Sequence, residues 1–263
     1  PNAYDAFIVV DTIPERCLPK DVECLFAVDH HKSDSKRAKY SDVKPVGSTC
    51  AMIWSYMQKI GIEFEENDDQ DSIIATGLLV GVKTDTYDLV SENVTDLDFE
   101  AYKHLMTFVN RRYLQAIIDY PIPPYHFDLR SQLDQEDNVK VENGVFVGGI
   151  GYLSPSKRDA LPTMAAERAR VEGTETAFVF GIVGENLEVS VRSRGLSVDV
   201  SSLCQKIFGK QYAGGKVGAA AAKVPLHFLT PNPNSNEEVQ QSLWVAVKAI
   251  MFDKIFHIMK GNE

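Results

Sequence analysis

Hydrophobic and polar positions follow two different rhythms along the chain. Near the amino end, Asp5-Ala-Phe-Ile-Val-Val-Asp11 is a short apolar run that closes on an acid. Cys24-Leu-Phe-Ala-Val-Asp29 repeats that design, with His30-His31 directly behind it. Their shortness and β-branched content predict buried strands of a parallel sheet. Amphipathic segments come next. Ser48-Thr49 open a predicted helix with Ile53, Met57 and Ile60 on one face and Gly61 as its stop. A second helix is expected over residues 70–82, apolar at Ile73, Ile74, Leu78 and Val82. Thr95-x-x-Asp98 has the pattern of a capping box that opens a third helix through Phe108.

Pro121, Pro123 and Pro124 break this strand–helix alternation, because a proline run cannot continue a helix and stiffens a connection. The expected organisation is a first domain over 1–120, a linker over 121–136 and a second domain over 137–263. The second half has hairpin rhythm. Residues 139–141, the turn Asn143-Gly144 and residues 145–152 predict one hairpin. Residues 177–183, a turn over 184–186 and residues 187–192 predict another. Helices are expected over 158–171 and 199–208, and the glycine- and alanine-rich stretch 213–222 reads as a loop. Ser235-x-x-Glu238 caps a final helix to about residue 260 that is apolar on most sides. That pattern predicts burial between domains or subunits, so a homodimer and a domain interface suit it equally. The fold class expected is α/β: a parallel-sheet domain followed by a smaller α+β domain, with the active-site cleft between them.

Composition narrows the function classes. The chain has 263 residues, 44% hydrophobic and 24% charged, which excludes a low-complexity or disordered chain. Its longest apolar stretches fall short of the roughly 18 residues that span a bilayer, so no membrane partner is expected. There is no charged-then-apolar leader. The four cysteines, Cys17, Cys24, Cys50 and Cys204, form no Cys-x-x-Cys, which fits reduced thiols in a cytoplasmic protein. A net charge of −10, from 37 acids and 27 bases, argues against coating duplex nucleic acid. It leaves room for a small anionic substrate in a locally basic pocket. Residues 192–223 supply one: Arg192, Arg194, Lys206, Lys210, Lys216 and Lys223 stand against the single acid Asp199. Gly214 and Gly215 beside them would let backbone N–H groups approach a phosphate.

In the first half the candidate chemistry gathers at strand ends, where ligands of open α/β sheets collect. Asp11, Asp29 and Asp85, with the two imidazoles, make a mixed oxygen and nitrogen donor set suited to Mn²⁺, Mg²⁺, Fe²⁺ or Co²⁺. Two such ions could clamp a phosphoryl group and activate a water.

These residues resemble a known family. Val28-Asp-His-His31 is similar to the signature of the DHH phosphoesterase superfamily, residues 5–11 to its second motif, and Val46-Gly-Ser-Thr49 to the loop that follows the signature. Val80-Gly-Val-Lys-Thr-Asp-Thr86 resembles its fourth motif. Val189-Ser-Val-Arg-Ser-Arg194 and Ala213-Gly-Gly-Lys216 resemble the DHH-associated domain. The subgroup most similar is the nanoRNase and 3′-phosphoadenosine-5′-phosphate phosphatase proteins, often labelled exopolyphosphatase-related. The resemblance implies a phosphoester hydrolase. It would act on a small phosphorylated nucleotide, such as a nucleoside 3′,5′-bisphosphate, or on short single-stranded RNA or DNA. Two Mn²⁺ ions are expected, with Mg²⁺ or Co²⁺ as alternatives. It further implies that Asp11, His30 and Asp85 bind metal and that Asp29 orients a histidine. His31 would face the substrate and help protonate the leaving oxygen. Arg192, Ser193, Arg194, Gly214, Gly215 and Lys216 would bind substrate across the cleft. Two departures stand out. The family's first motif, with its Asp-x-Asp, lies on a strand ahead of the second motif; the chain opens at Pro1 without Met and is expected to lack that first strand. Ala213 and Lys216 replace a glycine and a histidine of the family's loop. The alternative readings are an exopolyphosphatase, a cyclic-dinucleotide phosphodiesterase, or a non-catalytic nucleotide-binding module if the first motif is truly absent.

Overall fold

The structure is a computed structural model that describes residues 4, 6–31, 36–195, 198–216, 218–229, 232 and 236–260. Asp5 and Ser235, used in the sequence-based expectations, lie outside these. The chain divides into two compact units, Pro1–Pro121 and Ile122–Glu263.

The first unit runs β1 (Phe7–Val10), α1 (Pro14–Cys17), β2 (Cys24–Asp29), β3 (Ala38–Val43), α2 (Thr49–Lys59), α3 (Asp69–Thr86), α4 (Asp96–Phe108) and α5 (Arg111–Ile118). Its sheet is parallel with order β1-β2-β3, as the acid-terminated apolar runs predict. Val10 pairs with Val28 and Asp29 with Val43, so the carboxyl ends of all three strands lie at one edge. β3 is not expected from its mixed sequence Ala-Lys-Tyr-Ser-Asp-Val; it forms because β2 offers it a ladder.

α2 and α4 begin where their caps predict, and α3 begins at Asp69 behind Asp68, a cap not singled out from the sequence. The Ser48 hydroxyl accepts from Ala51 N–H, Asp68 accepts from Asp71 N–H, and Asp98 reaches back to Thr95 N–H. Their inward faces differ in part from the expected ones. Ile60 and Ile73 are 73% and 56% exposed. Val82 packs inward as expected, with Met57 and Leu78 against the same cluster, and the helices meet through Ala51, Trp54, Ala75, Leu79, Val82, Ala101 and Leu105. Ala51, Ala75 and Ala101 let the backbones approach closely beside Trp54, Leu79 and Leu105, while Ile60 and Ile73 are turned outward. The second helix also continues four residues past the expected 82, which places Asp85 in its last turn.

The second unit runs α6 (Tyr125–Leu133), β4 (Val139–Glu142), β5 (Val145–Leu153), α7 (Ala160–Ala169), β6 (Thr176–Val183), β7 (Asn186–Ser193), α8 (Val200–Phe208), β8 (Ala213–Lys216), β9 (Ala219–Pro225) and α9 (Glu237–Lys260). They build a mixed sheet of order β4-β5-β6-β7-β9-β8. β5 and β6 are parallel, joined through α7, and the other neighbours are antiparallel. One face buries Phe178, Phe180, Ile182, Val189 and Val191 against α8 and α9. The other buries Phe146, Ile150, Ala177 and Val179 against α6 and α7.

Two expectations are corrected. The proposed linker 121–136 contains α6, because proline is well placed at a helix start, where its missing N–H is not needed; Pro124 is the cap residue, and Leu129 and Leu133 are buried. The expected loop 213–222 is the hairpin of β8 and β9. A Cβ at Gly215 would lie 2.3 Å from the Ala219 carbonyl oxygen, so glycine is what lets this pair close. Helix α9 buries Leu243, Val247, Met251, Ile255 and Phe256 within its own unit, while Val245 and Ile250 on its outer side are more than half exposed. No helix among the described residues is long and apolar enough to cross a membrane.

Candidate metal centre

The site is built from the carboxyl edge of the first sheet upward. Asp11 leaves β1 in the left-handed backbone region, at φ 60°, with its N–H held by the Val28 carbonyl at 2.8 Å. The Thr49 hydroxyl, at the start of α2, donates to Asp11 Oδ1 at 2.8 Å. β2 ends at Asp29, which is buried, and the two histidines follow.

Their environments differ sharply. The His30 side chain is buried, and its Nδ1 lies 3.2 Å from the Val46 carbonyl oxygen. A carbonyl only accepts, so Nδ1 carries the proton and Nε2 presents its lone pair. That Nε2 is buried without a hydrogen-bond partner. It lies 3.5 Å from Asp11 Oδ1 and 3.9 Å from Asp85 Oδ2. His31 is half exposed, and its Nδ1 lies 2.7 Å from Asp29 Oδ1, which also accepts from His31 N–H at 3.0 Å. The two rings meet edge to face with centroids 4.2 Å apart.

Asp11, His30 and His31 each offer a ligand atom within 4.8 Å of the others. A buried lone pair aimed at two carboxylates is repulsive unless a cation sits between them. Imidazole and carboxylate donors suit a divalent first-row ion or Mg²⁺. The residues present therefore fit a metal. The Cys50 thiol, beside the same carboxylates, is pushed up to about 11, by burial first and then by Asp85 and Asp11. Gly81 makes room for it: a Cβ there would lie 2.2 Å from Cys50 Sγ.

Asp11, His30 and Asp85 are thus brought together in the first unit. Asp29 holds His31, while His30 is oriented by the Val46 carbonyl, a partner that sequence reasoning missed. It also missed Thr49 and Asp98. Asp98 is wholly buried and accepts from Gly47 N–H at 2.8 Å and Ser48 Oγ at 3.2 Å. The capping box marked Asp98 for a local role only.

In the second unit, the antiparallel register sets Arg192 opposite Ala219 and Ala219 opposite Lys216. Arg192 and Lys216 therefore share one sheet face two strands apart, about 10 Å between backbones. Gly214 lies on that face, opposite Ala221, and Gly215 on the other. The Arg192 guanidinium donates to Ser190 Oγ and the Val191 carbonyl. Ser193 falls on the opposite face from Arg192, where its hydroxyl meets Thr176 Oγ1 at 2.9 Å and the Glu175 carbonyl. Arg194, past the strand end, lines an open cavity of about 760 Å³ with Arg170, Glu172 and Glu175. The six expected substrate-binding residues thus do not converge: Arg192, Gly214 and Lys216 share a face, and Ser193, Arg194 and Gly215 stand apart from it.

No protein-family model matches the chain. An uncharacterised protein of Methanocaldococcus jannaschii is 32% identical over 225 residues, which cover 85% of this chain and 44% of that protein. The chain therefore spans less than half the length of this relative. RecJ from Thermus thermophilus, in complex with Mn²⁺, aligns over 95% of this chain and 45% of its own at 15% identity; its TM-score of 0.41 is too low to bear on the site. The exopolyphosphatase-related protein of Bacteroides fragilis matches with a TM-score of 0.63 at 12% identity, over 96% of this chain and 73% of that one. A likeness of that kind shows a shared fold, and the chain has the fold of the exopolyphosphatase-related protein.

Proposed function

We propose that the chain is part of a DHH-type, metal-dependent phosphoester hydrolase of the nanoRNase and nucleoside-bisphosphate phosphatase kind. The observation that carries this reading is the buried, unpartnered Nε2 of His30 facing Asp11 and Asp85. The shared fold with the exopolyphosphatase-related protein supports it. Asp11, His30 and Asp85 would hold the cation, with Mn²⁺ the expected ion and Mg²⁺ or Co²⁺ alternatives. A bound divalent ion would supply Lewis acidity toward a phosphoryl oxygen and lower the pKa of a water.

The chain's own residues would do the rest. The Val46 carbonyl keeps the His30 proton on Nδ1, so Nε2 stays available as a donor atom. Asp29 accepts from Nδ1–H of His31 and would orient the ring to pass a proton to the leaving ester oxygen. Arg192 and Lys216 supply fixed positive charge for a second phosphate of a short oligonucleotide or a nucleoside 3′,5′-bisphosphate.

A second reading is polyphosphate as substrate, in keeping with the fold shared with the exopolyphosphatase-related protein. One panel decides between them. Protein expressed from the longest reading frame containing this chain is loaded with Mn²⁺. It is then given labelled dinucleotide and trinucleotide RNA, 3′-phosphoadenosine-5′-phosphate, polyphosphate and a cyclic dinucleotide. Release of mononucleotide or of phosphate from the bisphosphate is the expected result. Turnover of polyphosphate alone selects the second reading. No turnover of any substrate, with metal occupancy confirmed, rejects catalysis and leaves a nucleotide-binding module.

A further inference from the structure

Asp98 does more than cap α4. Its Oδ2 accepts from Thr95 N–H at 2.9 Å and Thr95 Oγ1 at 2.7 Å, which is all that a capping role needs. The same oxygen also accepts Gly47 N–H at 2.8 Å, and Oδ1 accepts Ser48 Oγ–H at 3.2 Å. These two partners lie about fifty residues away, in the turn 46–49. The carboxylate is wholly buried, so these donors are what keep its charge tolerable.

The turn it grips is the one that reaches the cation ligands. On one side of Gly47, the Val46 carbonyl accepts from His30 Nδ1–H. On the other, Thr49 donates to Asp11 Oδ1. Gly47 is seated without spare room: a Cβ there would lie 2.7 Å from Asp98 Cγ, Asp98 Oδ2 and Thr86 Cγ2. Thr86 is the neighbour of Asp85 in the last turn of α3. One buried carboxylate therefore locks a turn that contacts His30 and Asp11 through hydrogen bonds and abuts the residue next to Asp85.

We infer that Asp98 is a positioning residue of the cation site, acting through the turn 46–49 to fix the His30 tautomer and the Asp11 carboxylate. The inference rests on the proposed cation-binding role of His30 and Asp11, and its test is arranged to separate the two. Histidine-labelled, cation-free protein is examined by long-range ¹H–¹⁵N correlation at pH 8 to read the His30 tautomer. Mn²⁺ affinity is measured by calorimetry, and folding by circular dichroism and thermal unfolding.

Asp98→Ala should convert His30 from the Nδ1–H tautomer to a mixture and weaken Mn²⁺ about 10- to 100-fold, the usual range for losing an outer partner of a metal ligand. Gly47→Ala, which wedges the turn off Asp98 while leaving the α4 cap intact, should shift both readouts in the same direction. Asp98→Asn retains an oxygen for Gly47 and Thr95 and should restore affinity to within about threefold, consistent with its neutral replacement keeping most of these bonds. Leu105→Ala in the same helix is the control. Leu105 is wholly buried, so this variant should lose stability without changing the tautomer or the affinity. A folded Asp98→Ala or Gly47→Ala protein with wild-type tautomer and affinity overturns the inference. Wild-type protein that binds no Mn²⁺ overturns the proposed function instead, and the tautomer in the cation-free variants still decides the role of Asp98.

Discussion

Gly81 and Cys50 offer a quantitative check on how the site is assembled. In Gly81→Ala the new Cβ would stand 2.2 Å from Cys50 Sγ. Ordinary contact needs about 3.5 Å, so roughly 1.3 Å of movement must be found between α2 and α3. Overpacking of this kind costs about 1–3 kcal/mol, and replacing a mid-helix glycine with alanine offsets about 1 kcal/mol of it. The single variant should therefore lose about 0–2 kcal/mol, the difference of those two effects. Cys50→Ala removes one buried heavy atom and should cost on the order of 1 kcal/mol. In the double variant the methyl group introduced at position 81 takes the space the sulfur has left, facing the Cβ of residue 50 at 3.1 Å. The double variant should then be more stable than the sum of the singles by about 1–3 kcal/mol, the coupling expected of residues in contact. Urea unfolding of the four proteins measures the cycle. Asp85 lies one helical turn beyond Gly81, so the movement that relieves the clash also displaces Asp85 from His30 Nε2, now 3.9 Å away. Gly81→Ala alone should therefore weaken Mn²⁺ binding, and the double variant should recover it. Additive stabilities, or Mn²⁺ affinity equal in all four proteins, would refute the proposed packing of Cys50 between the helices and the site.

Saturating Mn²⁺ should raise the melting temperature of the wild-type protein by mass action, and His30→Ala should abolish the shift; a shift that survives places the ion elsewhere. Asp29→Asn keeps an acceptor for His31 Nδ1–H but loses the charge, so it should lower kcat while leaving Mn²⁺ affinity nearly unchanged. Arg158 donates to Glu188, a buried carboxylate whose other cation, Lys223, is 3.7 Å away. Arg158→Ala should cost about 1–2 kcal/mol in urea unfolding, below the range for a fully buried pair because the arginine side chain is half exposed. Burial pushes the Cys204 thiol from 9.0 up to about 12. The unfolded chain then releases this proton first, so stability falls as pH rises from about 9 toward 12, by up to about 1.4 kcal/mol per pH unit. Cys204→Ala should flatten that alkaline slope; an unchanged slope assigns it to other groups.

The parts of this fold that were legible in the sequence are those where one signal dominates. Acid-terminated apolar runs gave β1 and β2 their positions, and the caps Ser48 and Thr95 marked where α2 and α4 start. What was not legible depends on neighbours. Ile60, Ile73 and Ile74 face outward, while Ala51, Ala75 and Ala101 sit among Trp54, Leu79, Val82 and Leu105 in the contact, because close helix approach also selects small residues. The run Ala-Gly-Gly-Lys reads as a loop by composition, and it is a strand because β9 lies close enough to exclude a Cβ at Gly215. Pro123 and Pro124 end one segment and open α6, and the sequence signal for the two is the same.

The histidine pair shows the same division within the site. Adjacency in the sequence placed both imidazoles at the end of β2, but their chemistry is set by partners that the sequence does not place. A carbonyl facing His30 Nδ1 fixes a proton there, so Nε2 presents its lone pair toward Asp11 and Asp85. A carboxylate facing His31 Nδ1 orients the half-exposed ring. The carbonyl belongs to Val46, in the turn that Asp98 grips from α4, and the carboxylate belongs to Asp29 at the strand end. Two imidazoles adjacent in the sequence thus meet different partners, one ring served by the sheet and the other by a turn that a helix cap fifty residues away holds.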